Sequence, residues 1–283
     1  MTDLVPDRPR RLPVTIPLVR DETIHSYLHR LASANHLHAD DLTSYLDTPS
    51  RTSGPHRFDR LAAMTDHPLD RLRDMLATAT HPRHQRQREA CRRCTAQHGI
   101  RVSVHLAAPT YRTTCRRHRR WLPDSYHYPD WQQYDLRDLP EVLTAQRQHI
   151  QLVRQHGIDK TTELVGHATY ITQRWTHRGD WTQHRDRRLR RFLDPNRWWI
   201  SETHPLIIMV NYPETITLAT ILSTPRWTEL AISHDPAAIT SFYAEVSRRL
   251  NITYQPYTAY DPLLGWQQHA RATHRYPEIA QFT

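Results

Sequence analysis

All three cysteines of this 283-residue chain fall in one short stretch: Cys91-Arg-Arg-Cys94, twenty intervening residues, then Cys115-Arg-Arg-His118. A divalent ion held tetrahedrally needs four thiolate or imidazole ligands, and two ligands separated by two residues sit naturally on one side of such an ion. The spacing therefore predicts a zinc site made by Cys91, Cys94, Cys115 and His118. His98 and His105 lie close enough in sequence to compete for the fourth position, but only His118 has the knuckle spacing. Three thiolates around Zn2+ leave one net negative charge, which Arg92, Arg93, Arg116 and Arg117 are placed to offset. Between the pairs, Arg101 to Leu106 alternates with period two and Tyr111 to Thr114 is rich in β-formers. Knuckle, hairpin and knuckle predict a small β zinc ribbon.

A Cys3His set is closed, with no open position for water, so the metal is expected to be structural. The sequence shows no His-x-Glu ahead of a Pro-Cys-x-x-Cys, no His-Glu-x-x-His, no Gly-x-Ser-x-Gly and no glycine-rich phosphate loop. No catalytic residue is assigned, and the expectation is a protein that is not an enzyme.

Charge points to a partner. The chain carries 38 Lys and Arg against 29 Asp and Glu, net +9, and Lys160 is its single lysine. From Arg83 to Arg120 there are eleven arginines and one acid, Glu89, while the rest of the chain is close to neutral. Arginine forks bind phosphate, so double-stranded DNA is the expected partner. The contacts are assigned to Arg86, Arg88, Arg92, Arg93, Arg112, Arg116, Arg117, Arg119 and Arg120. A second basic run, Arg185 to Arg191, is diluted by acids and reads as a solvated helix face with phosphate contact available to it.

The remaining pattern is helical. Residues 1–20 hold four prolines and predict an extended arm. Residues 21–80 predict a helical module. In it, Asp21-Glu22-Thr23 starts a helix with acids at the positive end of its dipole, and Ser50 to Pro55 forms a loop. Asp66 caps a fourth helix, with Pro68 near its first position. The two short helices around Thr65-Asp66-His67 have helix-turn-helix proportions. Leu28, Leu31, Leu61, Leu72 and Leu76 are the expected core, whereas Arg30 and Arg60 are expected to tolerate alanine. A polar linker over 77–90 leads into the metal region, 81–125.

Residues 135–283 predict a helical C-terminal domain. Pro205 to Val210 is read as a buried strand or helical turn, and Pro213 restarts a helix after it. The fold class is mainly α with a small β zinc ribbon. No stretch reaches 18 consecutive apolar residues, which predicts no membrane span. The charged, proline-rich start lacks an apolar signal region, so a cytoplasmic, nucleoid-associated location is expected.

Two stretches resemble the TniQ family. One is Ile16-Pro17 to Leu46, with Asp21-Glu22-Thr23, Ser26-Tyr27-Leu28-His29-Arg30-Leu31-Ala32 and Asn35. The other is the Cys91/Cys94/Cys115/His118 unit followed by Arg120-Trp121-Leu122. Leu139-Pro140-Glu141-Val142, Ala145-Gln146-Arg147 and Tyr212-Pro213-Glu214 are similar to stand-alone actinobacterial members. The resemblance implies a helix-turn-helix and zinc-finger adaptor in DNA transposition. Such an adaptor helps select the target site and recruits an AAA+ regulator or joins a targeting complex, without transposase chemistry of its own. A homodimer is compatible with this. Many relatives carry a second zinc ribbon, yet no cysteine follows His118 here. The alternative is a stand-alone transcriptional regulator or defence-associated interaction protein that uses the same module without a transposase.

Overall fold

The computed structural model describes residues 10–47, 57–77, 84–122, 124, 133–175, 179–193, 204–254 and 261–275. The predicted loop over Ser50 to Pro55, the first nine residues of the arm and Arg83 lie outside them. Twelve helices and six short strands are present among the described residues, so the chain is mainly helical with a small β component. The chain divides between Asp135 and Leu136 into two compact units.

In the first unit the chain runs through β1 (Glu22–Thr23), α1 (Ile24–Ala34), α2 (Ala39–Asp47), α3 (Arg57–Thr65), α4 (Leu69–Met75) and β2 (Leu76–Ala77). It continues through β3 (Gln85–Glu89), α5 (Arg92–Gln97), β4 (His105–Pro109), β5 (Thr114–Cys115) and β6 (Arg120–Trp121). The first four helices bury Tyr27, Leu28, Leu31, Leu42, Leu46, Leu61, Met64 and Leu72 in one core. The expected leucines are all buried, but Leu76 lies on β2 rather than on a helix face. Residues 10–20 have almost no regular structure, yet they are no free arm. Ile16 is buried in the helical core with Leu12 and Leu18 against it, and the amide of Leu12 donates to the Met64 carbonyl at 2.9 Å.

The start of α1 departs from expectation. Thr23 is the N-cap, its hydroxyl accepting from the Ser26 amide. Glu22 is not an exposed acid at the helix dipole. It is fully buried, and its carboxylate accepts from Arg30 Nε at 2.9 Å, Arg30 Nη2 at 2.6 Å and Ser26 Oγ at 2.8 Å. Arg30 is therefore a buried partner, not a tolerant surface arginine, and it also donates to the Pro17 carbonyl. Asp66 does not cap α4. It sits in left-handed backbone (φ 59°) at the end of α3, and Pro68 holds the N-cap position of α4 without a side-chain hydrogen bond.

The four-stranded sheet has the order β2-β1-β4-β3. β1 pairs parallel with β2 and antiparallel with β4, while β3 pairs with β4 along its whole length, from Gln85↔Pro109 to Glu89↔His105. The predicted linker over 77–90 thus contributes an edge strand. The predicted hairpin within the metal region does not form, because β4 joins β3 and β1, while β5 pairs with β6. Hydrogen-bonding edges were available on both sides of β4, and period-two alternation cannot say which partner takes them.

In the second unit the chain runs through α6 (Pro140–His156), α7 (Ile158–Arg174), α8 (Gly179–Leu189), α9 (Pro205–Ser223), α10 (Pro225–Ile232), α11 (Pro236–Leu250) and α12 (Pro262–Arg275). Pro205 to Val210 is helical and continuous with the segment after Pro213, which lies inside α9. Apolar residues surround α9, and such a helix belongs at the centre of a bundle. It packs against α6, α7, α8, α10 and α11. Over Leu206–Ser223 it is long and apolar enough to cross a membrane by composition, but 72% of that window is buried within the protein.

Arg188, from the run read as a solvated face, is buried. Its fork meets both Glu214 oxygens at 2.7 Å, its Nε donates to Glu141 at 3.0 Å, and its Nη1 reaches the Val210 carbonyl. Removing one side of the Glu22–Arg30 pair strands a buried charge. Arg30→Ala is expected to lower stability by about 3–5 kcal/mol, read as a lower melting temperature, whereas an unchanged melt would show the pair to be dispensable.

Candidate metal centre

The four predicted ligands come together. Their ligand atoms all lie within 4.8 Å of one another, in the single such group among the described residues. Cys91 is the N-cap of α5 and Cys94 sits in its first turn, with the Cys94 amide donating to the Cys91 carbonyl at 2.8 Å. Cys115 ends β5, and His118 lies in the tight connection to β6, where Thr114↔Trp121 and Cys115↔Arg120 close the ladder. Arg119 takes left-handed backbone (φ 49°) to complete that turn.

Four of the six ligand–ligand distances lie near the edges of a tetrahedral site. His118 Nδ1 is 3.5 Å from Cys91 Sγ, 3.2 Å from Cys94 Sγ and 3.8 Å from Cys115 Sγ, and Cys94 Sγ is 3.7 Å from Cys115 Sγ. With Zn–S near 2.3 Å and Zn–N near 2.0–2.1 Å, tetrahedral edges come to about 3.8 Å between sulfurs and about 3.6 Å between sulfur and nitrogen. Donor type and edge length thus both suit a thiophilic divalent cation. His98 and His105 are not part of the group.

Crowding three thiols has an electrostatic cost. Donation from Cys91 to Cys115, together with burial, pushes the Cys91 thiol up to about 12, and the same bond pulls Cys115 down to about 7. Burial raises Cys94, while the charge of Arg117 opposes the rise. A cation held by the four residues would relieve this competition, because it would favour all three thiolates at once.

The first knuckle is braced by residues that spacing did not reveal. Glu89 accepts from Arg92 Nε and from Ser103 Oγ, both at 2.8 Å. Gln133 donates through Nε2 to the Ala90 carbonyl at 2.6 Å and accepts from the Arg92 amide at 3.0 Å. These bonds fix the backbone on both sides of Cys91, the kind of outer support that orients a ligand. Glu89 was visible only as the lone acid of the basic window, and Gln133 lies beyond the expected 81–125 boundary.

The arginines divide into two groups. Arg86, Arg92, Arg93, Arg112, Arg116, Arg117 and Arg119 are exposed. Arg86 lies 3.9 Å from Asp124 and Arg92 is held by Glu89. Arg88 is buried, donating to the carbonyls of Leu122 and Thr110. Arg120 is half-buried, donating to the Gln133 carbonyl at 2.7 Å. Neither of these two guanidiniums is presented to a phosphate in this arrangement, because burial demanded partners and backbone carbonyls supplied them.

Purified protein is expected to contain about one zinc per chain, and Cys94→Ser or Cys115→Ser to release it. Elemental analysis reads this directly, and a well-folded zinc-free wild type would remove the site. Gln133→Ala is expected to weaken zinc affinity by about 10–100-fold, measured by chelator competition. Comparison with protein-family profiles, curated proteins and solved structures returns no match to this chain.

Proposed function

We propose that this chain is a DNA-binding, zinc-containing adaptor of the TniQ type, which engages duplex DNA through the phosphate backbone around its metal centre. The observation that carries this reading is the composition of the two ligand pairs. Each encloses Arg-Arg, all four arginines are exposed, and the ligands bring both pairs to one point. One cation among three thiolates leaves a single negative charge, so Arg92, Arg93, Arg116 and Arg117 exceed what the centre itself requires. The surplus suits a polyanion. In this reading α3 and α4 serve as the helix-turn-helix, the zinc is structural, and the chain performs no chemistry on DNA. Its role in transposition is to select a target site and recruit an AAA+ regulator.

The test is duplex binding as a function of salt. Four to five phosphate contacts predict a slope of log affinity against log salt of about −4. An Arg93→Ala, Arg116→Ala variant should keep its zinc, lose affinity for all sequences alike and show a slope shallower by about 2. Unchanged affinity in that variant, or no salt-dependent binding by wild type, would show that the arginines serve another partner. Co-purification with an AAA+ ATPase encoded nearby tests the transposition role separately.

A further inference from the structure

The metal region is too small to hold itself together. Its buried apolar cluster is Ala90, Ile100 and Val104, with Leu106 and Val19 packed against it. Even with Ala107, Ala108, Trp121 and Leu122 also buried, so few side chains cannot offset the conformational entropy of ordering some forty residues. Two things complete it: the proposed cation and the helical module. Val19, which precedes β1, packs into that cluster from the helical side. The Ala107 amide donates to the Asp21 carbonyl at 2.9 Å, and Glu22 pairs with Leu106. Ser26 Oγ accepts from the His105 amide at 2.9 Å while donating to the buried Glu22 carboxylate that also holds Arg30. The segment carrying β4 lies between the two ligand pairs, so every one of these bonds is made by chain that the metal must order.

We propose that the metal centre and the helical module fold as one cooperative element, so that zinc occupancy controls the order of α1 and its neighbours and not only of the ligand loops. The proposal rests on the reading of Cys91, Cys94, Cys115 and His118 as a zinc site. Ligand binding to a folded form stabilises everything that must fold with it, and the coupling is reciprocal. Zinc removal loosens the β1–β4 pairing, and with it the environment that keeps Glu22 and Arg30 dry. Conversely, damage to the helical module weakens zinc. Metal availability thereby gates whatever surface α1 to α4 present, including a DNA-reading one.

Two measurements on the full chain decide it. In hydrogen exchange with and without EDTA, the amides of Leu28, Leu31 and Ala32 should lose protection together with those of β3 and β4. In competition with a fluorescent zinc chelator, Leu31→Ala should bind zinc about tenfold more weakly or worse, and Ser26→Ala about fivefold more weakly. Ser26→Ala removes one hydroxyl, with its bonds to the His105 amide and the Glu22 carboxylate, and leaves the apolar packing in place, so it carries the test if Leu31→Ala does not fold. Retained protection in α1 after zinc loss, or variants that melt lower yet bind zinc as wild type does, would overturn the proposal. A wild type that elemental analysis shows to hold no zinc would overturn the metal reading and the proposal with it. That failure is distinct from the case where zinc is bound but uncoupled.

Discussion

The carboxylate of Glu22 ties the first unit together. It is fully buried one residue before the N-cap of α1, and it gathers Ser26 and Arg30 from the first two turns of that helix. Burying two charges is costly unless every bond is made. Here the guanidinium takes both carboxylate oxygens and the Pro17 carbonyl besides. Because the backbone of Glu22 is also a sheet residue, paired with Leu76 on one side and Leu106 on the other, the ion pair fixes the helical core and the sheet in one register. The left-handed backbone of Asp21 (φ 63°) makes the sharp entry this requires.

The metal centre answers a different shortage. Around Cys91 to His118 there is little apolar material to bury, and the residues between the ligands are mostly polar or charged. Four side chains able to hold a metal gather where that core is missing, while Glu89 and Gln133 settle the local backbone with hydrogen bonds. The arginines that make the region basic are thereby sorted. Those that fold back, Arg88 and Arg120, satisfy carbonyls. Those within the ligand pairs stay at the surface, Arg92 held there by Glu89.

The second unit is organised around one helix rather than one ion. α9 carries apolar residues on most of its faces, and its neighbours cover most of it, leaving Ile208 exposed. Its polar groups find partners in the packing: Tyr212 meets His149 at 2.8 Å, Thr215 meets Thr172 at 2.9 Å, and Glu214 meets Arg188. Tyr254 packs its ring at a tilt against Trp175, with centroids 5.1 Å apart, and donates to Asp261 at 2.8 Å, which ties the last helix to α7.

The sequence by itself determined the helical class, the apolar faces of α1 to α4 and the four side chains that gather at the candidate metal centre, because each signal is local. Helical periodicity and Cys-x-x-Cys spacing are set by neighbours three or four residues away. The tertiary structure alone decided which strand pairs with β4, that Pro213 lies inside a helix, and which arginines are buried. Those outcomes depend on partners far along the chain. Arg30, Arg88 and Arg188 look no different in sequence from the exposed arginines, and only the packing around each shows whether a buried carboxylate or carbonyl, rather than water, receives its charge.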